Sequence, residues 1–265
     1  MHSPMATAIP TSIRKSALIA ACVAAMTLCV AGESAATPAW VCSALSGFRA
    51  DCGQTVAGPK VGRFAVDDAG GFVLDRSGHP ILLKFDDSPE VWVLTASHGP
   101  RGDVLYKNDV GDVLLRATKL GGMTVYTPRW PEGAAASVVS ESSPIRLAPA
   151  IGALALAHEM ADDSGRCLRW TRHIVYFEFA APTADTKALP LISDAGATAL
   201  EAMIKLSGRP GGKAFLARIG RIVIAAGGKI DISLERGTLR VTVVSAQGYV
   251  GRPSSSRILQ ALGAP

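Results

Sequence analysis

The chain has 265 residues and a formal net charge of +5, a length that can bury a substantial core as one domain or as two small ones. After residue 36, no run of residues is long and apolar enough to cross a bilayer, which argues against a multi-span membrane protein. The sequence also lacks a Gly-x-Ser-x-Gly elbow, a phosphate loop and a dinucleotide fingerprint, which argues against the enzyme classes that depend on them.

Residues 1–36 have the pattern of a signal peptide. Arg14 and Lys15 precede an uninterrupted apolar run at residues 17–30, and residues 34–36 give the small-x-small pattern that a signal peptidase needs. We predict cleavage after Ala36 and a soluble, exported protein that is periplasmic or secreted and not transmembrane after processing. Two alternatives are retention of the leader as an anchor and lipidation at Cys22.

Residues 37–60 are rich in Ala, Ser, Gly and Pro and are interpreted as a lead-in to the folded part. Cys42 and Cys52 lie close together here, and in an oxidising compartment we predict a disulfide between them. Cys167 is then an odd thiol. We interpret it as a partly buried small hydrophobic residue rather than a nucleophile, because nothing near it suggests an activating histidine.

Residues 61–130 are predicted to form an antiparallel β module, a meander or a barrel-like sheet of about seven strands. Short apolar runs alternate with polar residues and are separated by the turn formers Gly, Pro, Asn and Asp. The predicted strands lie near Phe64–Val66, Phe72–Leu74, Ile81–Phe85, Val91–Leu94, Val104–Tyr106, Val113–Ala117 and Met123–Thr127.

Residues 131–145 are interpreted as a linker. They are small and polar, and Pro131 and Pro144 stand near the two ends. This composition is typical of an exposed connection, so we place the domain boundary here.

Residues 146–265 are predicted to form an α+β module, an antiparallel sheet with packed helices, which makes α+β the fold class of the whole chain. Apolar residues recur at helical spacing in some segments and alternate in others. The first predicted helix has Leu147, Ile151, Leu154 and His158 on its apolar face and ends at residues 162–165. The other predicted helices are one capped by Ser193, a shorter one around Phe215 and a last one from Ser254 or Ser255. The predicted strands are Ile174–Phe179, Ile222–Ile224, Ile230–Leu234 and Leu239–Val243.

Positive charge is concentrated near the C-terminus. Residues 205–265 hold ten basic side chains against Asp231 and Glu235, whereas residues 131–204 hold five against nine. In an exported protein the anionic partner of such a surface would be a cell-wall polymer, lipid head groups or another envelope protein rather than nucleic acid. The alternative is a solvated basic surface without a specific partner. The candidate binding residues are Arg218, Arg221, Arg236 and Arg240.

One segment suggests catalysis. His158, Glu159 and Asp162 lie on a predicted helix with the spacing of His-Glu-x-x-His zinc hydrolases, except that the second histidine is aspartate. A metal there would need a third ligand, for which His173 is nearest. A hydrolase that uses His158 and Glu159 is therefore an alternative function. Because His158 shares a stripe with Ile151 and Leu154, we favour a core histidine and predict no metal or cofactor.

Two segments resemble a known family. They are FVLDRSGHPILLKFDDSPEVWVLTASHGPRGDVLYKNDVGDVLLRATKLGGMTVYTP at residues 72–128 and the Gly-Arg-Pro-Ser-Ser run at residues 251–255. The chain is similar to uncharacterised exported bacterial proteins known as domain of unknown function 4908. That resemblance would cover most of the predicted mature chain. It implies no activity and no functional residues, and it argues against an enzyme of a well-studied class.

The leading hypothesis is therefore a non-catalytic envelope protein, a binding or structural module that uses its basic C-terminal surface. A further alternative is an interaction or inhibitory module that pairs a partner with a free strand edge, for which the strand Met123–Thr127 is the candidate.

Overall fold

A computed structural model gives the fold and describes residues 58–66, 70–180 and 186–263. It contains a closed β-barrel followed by a four-stranded sheet with helices, so the α+β class is confirmed. The predicted signal peptide and the predicted disulfide of Cys42 and Cys52 lie outside the described residues. Within those residues, no helix is long and apolar enough to span a bilayer.

The barrel has eight strands. They are β1 (Val61–Val66), β2 (Gly71–Asp75), β3 (Ile81–Phe85), β4 (Val91–His98), β5 (Val104–Lys107), β6 (Val113–Ala117), β7 (Met123–Thr127) and β8 (Trp130–Glu141).

Within residues 146–180 and 186–263, the C-terminal module has four α-helices and four strands. They are α1 (Ala153–Thr171), β9 (Tyr176–Ala180), α2 (Leu189–Ser207), α3 (Gly212–Leu216), β10 (Arg221–Ala226), β11 (Asp231–Glu235), β12 (Thr238–Val243) and α4 (Ser255–Ala261).

Each barrel strand pairs antiparallel with the next, and β8 pairs with β1 to close the sheet. The seven predicted strands are all present. Alternate side chains form one core that includes Phe72, Leu83 and Leu115, none of which has exposed surface. Burying one such side chain contributes about 1.5–3 kcal/mol, so the alternating pattern in the sequence is the main determinant of this half of the fold.

The interpretation of residues 131–145 as a linker is wrong for most of the segment. Residues 131–141 belong to β8, which pairs with β7 and β1 and so removes both edges of the barrel. Its small side chains carry little hydrophobic signal, but backbone pairing does not require one. Ala136 is buried and lies opposite both Met123 and Val66, where a small residue fits against larger neighbours.

The sheet of the C-terminal module has the order β11-β12-β10-β9. Strands β9, β10 and β12 are parallel, and only β11 is antiparallel to its neighbour, so the prediction of a wholly antiparallel sheet is wrong. The physical reason is the crossover formed by α2 and α3, which returns the chain to the edge where β9 began. The buried face of the sheet, including Ile222, Ile224 and Val241, packs with the helices into a second core.

Helix α1 begins and ends later than predicted and presents a different face, so Leu147 and Ile151 lie before it. It runs through residues 162–165, and its buried stripe is Leu156, Met160, Asp163, Cys167 and Thr171. The predicted end fails because Asp163 turns inward, and a glycine inside a helix costs only about 1 kcal/mol. The prediction that Cys167 is a buried small residue is confirmed, and burial raises the pKa of its thiol.

The starts of two helices test the predicted caps. Helix α2 begins at Leu189 with Pro190 in its first turn, so the prediction that Ser193 caps it is wrong. Helix α4 begins as expected, because the side chain of Ser254 accepts a hydrogen bond from the Arg257 N–H at 3.0 Å.

The barrel and the C-terminal module meet in a buried polar contact, which we call the junction. The guanidinium of Arg252 donates to the carbonyl of Val91 at 2.5 Å and to the carboxylate of Asp194. The N–H and hydroxyl of Ser255 donate to the two carboxylate oxygens of Glu90 at 2.8 and 2.6 Å. The preceding Gly251 allows close packing, since a Cβ there would lie 2.0 Å from the carbonyl oxygen of Val244.

Candidate anion-binding surface

The three parallel strands begin at the same edge of the sheet, which we call the amino edge (residues 172–176, 218–221 and 236–238). Register places Tyr176 beside Arg221, and Arg221 beside Thr238. The loops that enter the strands are hydrogen-bonded to each other. The Tyr176 N–H donates to the carbonyl of Gly220 at 3.0 Å, and the Gly220 N–H donates to the carbonyl of Gly237 at 2.9 Å. Three segments distant in sequence are thereby held side by side.

The amino edge brings three of the four predicted binding arginines together. Arg221, Arg236 and Arg240 line one hollow of about 450 Å³, whose other walls are Val223, Ser233, Glu235 and Thr238. We call this the arginine hollow. Arg221 and Arg240 point outward because the residues that follow them, Ile222 and Val241, are buried on the opposite face.

Two predicted residues have distinctive local positions. Arg236 occupies the left-handed region (φ 48°) at the turn between β11 and β12, where Gly237 follows with φ 80°. Arg218 lies at the same edge but outside the hollow, with its guanidinium 5.2 Å from the ring of Phe215.

Two of the guanidinium groups in the hollow are available to a ligand. Arg221 forms an ion pair with Glu178 at 3.2 Å, in which both side chains are about half exposed. Arg236 and Arg240 make no side-chain hydrogen bond or ion pair with any described residue. Glu178 and Glu235 border the hollow, so the surface is not uniformly positive. Such a pattern favours a discrete anionic group that fits between the arginines over a uniform polyanion.

Sequence reasoning missed two further arginines. Arg169 and Arg172 are exposed at the end of α1, and Arg172 is its C-cap in the left-handed region (φ 60°). They were overlooked because residues 131–204 are acidic as a whole. The acidic side chains of α1 lie in its first three turns, and no acidic residue occurs between positions 164 and 177. Counting charge over that shorter window would have found them.

The structure does not assemble the predicted hydrolase site. His158 is exposed, so its interpretation as a core histidine is also wrong. Glu159 accepts a hydrogen bond from the hydroxyl of Ser193. His173 lies beyond the far end of α1, roughly 20 Å along the helix axis from His158 at the rise of an α-helix. Its ring Nε2 lies 3.0 Å from the carbonyl oxygen of Ile219. Among the described residues, no three His, Cys, Asp or Glu side chains are grouped to hold a metal ion.

The junction contains the residue types of a Ser-Lys nucleophilic pair. Lys205 Nζ lies 2.7 Å from Ser255 Oγ and 3.1 Å from Glu90 Oε2. Ser255 and Glu90, however, have no exposed surface, so a substrate cannot reach the hydroxyl in this conformation. The ammonium also lies 4.6 Å from the ring centre of Trp92. Each polar group is engaged with another, which is the arrangement of a structural contact.

The free strand edge predicted at Met123–Thr127 does not exist. Strand β7 pairs with β6 on one side and with β8 on the other. In the second sheet, α1 covers the outer edge of β9, where the Phe177 N–H donates to Ser164 Oγ at 2.9 Å. Among the described strands, β11 pairs with β12 alone. The interaction hypothesis based on β7 is therefore wrong.

A second concavity lies between the barrel and α4, with a volume of about 560 Å³. Its central carboxylate, Asp109, accepts hydrogen bonds from the Ser254 N–H at 3.0 Å and from its hydroxyl at 2.5 Å. The guanidinium of Arg257 lies 3.4 Å from the Asp109 carbonyl. Asp109, Ser254 and Arg257 are thus partnered with one another, and the remaining charged groups of the lining outside the junction, Lys229 and Asp231, are of opposite sign. In the arginine hollow, by contrast, two guanidinium groups have no partner among the described residues. The arginine hollow is therefore the better candidate site.

Residues 44–262 match the family described as "Domain of unknown function (DUF4908)". The chain belongs to this family. The match covers the barrel, the junction and the C-terminal module of this DUF4908 protein, and it confirms the resemblance inferred from residues 72–128 and 251–255. No curated protein and no solved structure matches the chain.

Proposed function

We propose that this DUF4908 protein is an exported, non-catalytic binding module of the cell envelope. It holds an anionic partner, a cell-wall polymer or lipid head groups, at the arginine hollow. The observation that carries the proposal is the presence of two guanidinium groups, on Arg236 and Arg240, without a partner among the described residues.

The chemistry of arginine supports this function. A guanidinium presents a planar fork of donors that binds carboxylate or phosphate groups through two parallel hydrogen bonds. Carboxylates and phosphates are the usual anionic groups of cell-wall polymers and lipid head groups. Ser233 and Thr238, which also line the hollow, offer hydroxyl groups that can complete the hydrogen bonding of the same anion.

The test uses the protein as it accumulates in producing cells. It is co-sedimented with cell-wall sacculi and with anionic vesicles across a salt series. We expect binding to at least one of them that weakens as salt rises, because surface charges are screened. Replacing Arg218, Arg221, Arg236 and Arg240 together by glutamine should weaken that binding and flatten its salt dependence.

A charge-matched control separates a specific site from general charge. Four exposed basic residues of the barrel module, replaced by glutamine, remove the same charge and should leave binding nearly unchanged. Equal losses in the two quadruple variants, or binding by neither polymer nor vesicle, would remove the proposal. The control positions are Lys60, Arg101, Lys119 and Arg129.

A further inference from the structure

Large apolar side chains are exposed next to the amino edge. The exposed fractions are 42% for Leu168, 67% for Trp170, 50% for Ile174 and 59% for Tyr176. Single exposed apolar residues are normal on a protein surface, but four within nine consecutive positions, two of them aromatic, are not. We call residues 168–176 the aromatic segment.

The exposure is imposed by the fold. Val175 and Phe177 are buried on the inner face of the sheet, so strand alternation directs Ile174 and Tyr176 outward. At the end of α1, Thr171 is buried, and its hydroxyl donates to the carbonyl of Cys167 at 2.7 Å. Trp170 cannot turn into the core without displacing Thr171. These side chains therefore stay on the surface unless a partner covers them.

Basic residues surround these apolar side chains. Arg169 and Arg172 alternate with Trp170 and Ile174 along the chain, and both arginines are exposed. Arg221 is the register partner of Tyr176 on the neighbouring strand. A cation in the last turn of a helix interacts favourably with the helix dipole, which by itself would account for Arg169. The dipole does not account for the exposed tryptophan beside it.

We propose that the aromatic segment docks on a lipid bilayer that contains anionic head groups. Trp170 and Tyr176 would lie at head-group depth, where such amphipathic rings concentrate, and Ile174 would insert beside them. Arg169, Arg172 and Arg221 would contact the anionic lipids. This inference rests on the proposed function for the attraction between arginines and an anionic partner, and it adds that the partner is a membrane surface.

The test measures both binding and depth. Protein isolated from producing cells is floated with vesicles of phosphatidylcholine alone and with vesicles that also contain phosphatidylglycerol. Each basic residue near an anionic surface contributes roughly fivefold in affinity, so we expect the anionic vesicles to bind at least 20-fold better. Brominated acyl chains should quench the tryptophan fluorescence, and a Trp170→Phe variant should lose most of that quenching while it still floats.

Two matched triple variants separate docking by the aromatic segment from non-specific hydrophobic binding to the vesicles. Trp170→Gln, Ile174→Thr and Tyr176→Thr together should reduce vesicle binding at least tenfold without unfolding the protein, because all three side chains are mostly outside the core. The control replaces three apolar side chains of the barrel that are each more than half exposed, and it should bind as the wild type does. It combines Leu120→Gln, Val138→Thr and Val139→Thr.

The outcomes distinguish this inference from the proposed function. One outcome is salt-sensitive binding to vesicles that shows no quenching of tryptophan fluorescence and is unchanged in the Trp170, Ile174 and Tyr176 variant. It would overturn docking by the aromatic segment and leave the proposed binding at the arginine hollow in place. A third outcome has two parts: the wild-type protein does not bind protein-free vesicles but is retained on envelope fractions that contain protein, and the Trp170, Ile174 and Tyr176 variant is not retained. That outcome would make the segment a protein-docking surface. Binding to neither vesicles nor sacculi would overturn both proposals.

Discussion

The barrel and the C-terminal sheet differ in strand closure and in where their basic and aromatic side chains lie. In the barrel every strand has two neighbours, and Arg116 is held by Asp103 at 2.5 Å and Arg63 by Asp86 at 2.7 Å. Along one edge of the C-terminal sheet lie exposed aromatic rings and guanidinium groups that have no partner among the described residues. The barrel also exposes single apolar side chains such as Leu120, but only the C-terminal sheet gathers basic and aromatic side chains at one edge, where a partner has something to bind.

The junction explains why the basic surplus near the C-terminus is not one surface. Lys205 and Arg252 point into the contact with the barrel, where they meet Glu90 and Asp194. Charge counted along the sequence therefore includes basic residues that hold the fold together. Of those that remain, Arg221, Arg236 and Arg240 line the arginine hollow, whereas Lys229 and Arg257 line the other concavity.

The largest expected effect is at the junction. Arg252→Met should lower the free energy of unfolding by about 3–5 kcal/mol, because it leaves the mostly buried Asp194 carboxylate and the Val91 carbonyl without their donor. Urea denaturation followed by tryptophan fluorescence measures this change.

The matched control for this prediction is Arg240→Met on the open face of the sheet. We expect it to change the unfolding free energy by no more than about 0.5 kcal/mol. Similar costs for the two substitutions would mean that the junction is not the main buried polar contact, and the contrast between the two modules would fail.

A smaller effect is expected at Asp163, where burial raises the pKa of the carboxyl from 3.8 to about 6. The folded protein thus binds this proton more tightly than the unfolded chain does. The carboxyl lowers stability progressively as the pH rises from about 4 to about 6, and the full cost persists above 6. Asp163→Asn should therefore be about 1–3 kcal/mol more stable than the wild type at pH 7.5 and nearly equal to it at pH 3.5.

Denaturation at a series of pH values tests the Asp163 prediction. The neighbouring Asp162→Asn, at an exposed position of the same helix, should stay within about 0.5 kcal/mol of the wild type throughout. A stabilisation by Asp163→Asn that is the same at every pH would show that titration of the carboxyl is not its cause.

The smallest expected effect on stability is at Glu178. Its ion pair with Arg221 is about half exposed, so Glu178→Gln should change the unfolding free energy by less than about 0.5 kcal/mol. The same substitution removes a negative charge beside the arginine hollow and releases Arg221. We expect binding to anionic vesicles to rise about fivefold. A decrease in binding would instead assign Glu178 to the recognition of the partner.

The elements that were predicted well carry their signal in consecutive side chains. Alternation with turn residues located seven barrel strands, and the start of the last helix was predicted at Ser254 or Ser255. Strand β8 was missed because Ala134 and Ala136 show no hydrophobic alternation, although its backbone closes the barrel. The wrong face was assigned to α1 because two sets of residues in it have helical spacing. The set with Leu154 and His158 was chosen, but the set with Leu156 and Met160 is the one that packs against the core.

The candidate site was predicted in part for a related reason. Arg221, Arg236 and Arg240 could be chosen from the charge count because all three lie in the most basic segment. Their convergence could not be predicted, since it depends on β9, β10 and β12 starting at one edge. The aromatic segment was missed because Trp170 and Tyr176 look like ordinary packing residues until their exposure is known.

The sequence alone determined the α+β class, the family, most strands and the location of the basic residues, because those depend on local periodicity, turn chemistry and composition. The tertiary structure decided which residues meet. It closed the barrel with an unpatterned strand and reversed the expected direction of sheet strands. It also buried Arg252, engaged Lys205 at the junction, and left Arg236 and Arg240 without a partner among the described residues. These outcomes depend on pairings between segments far apart in the chain, and such pairings leave no local trace in the sequence.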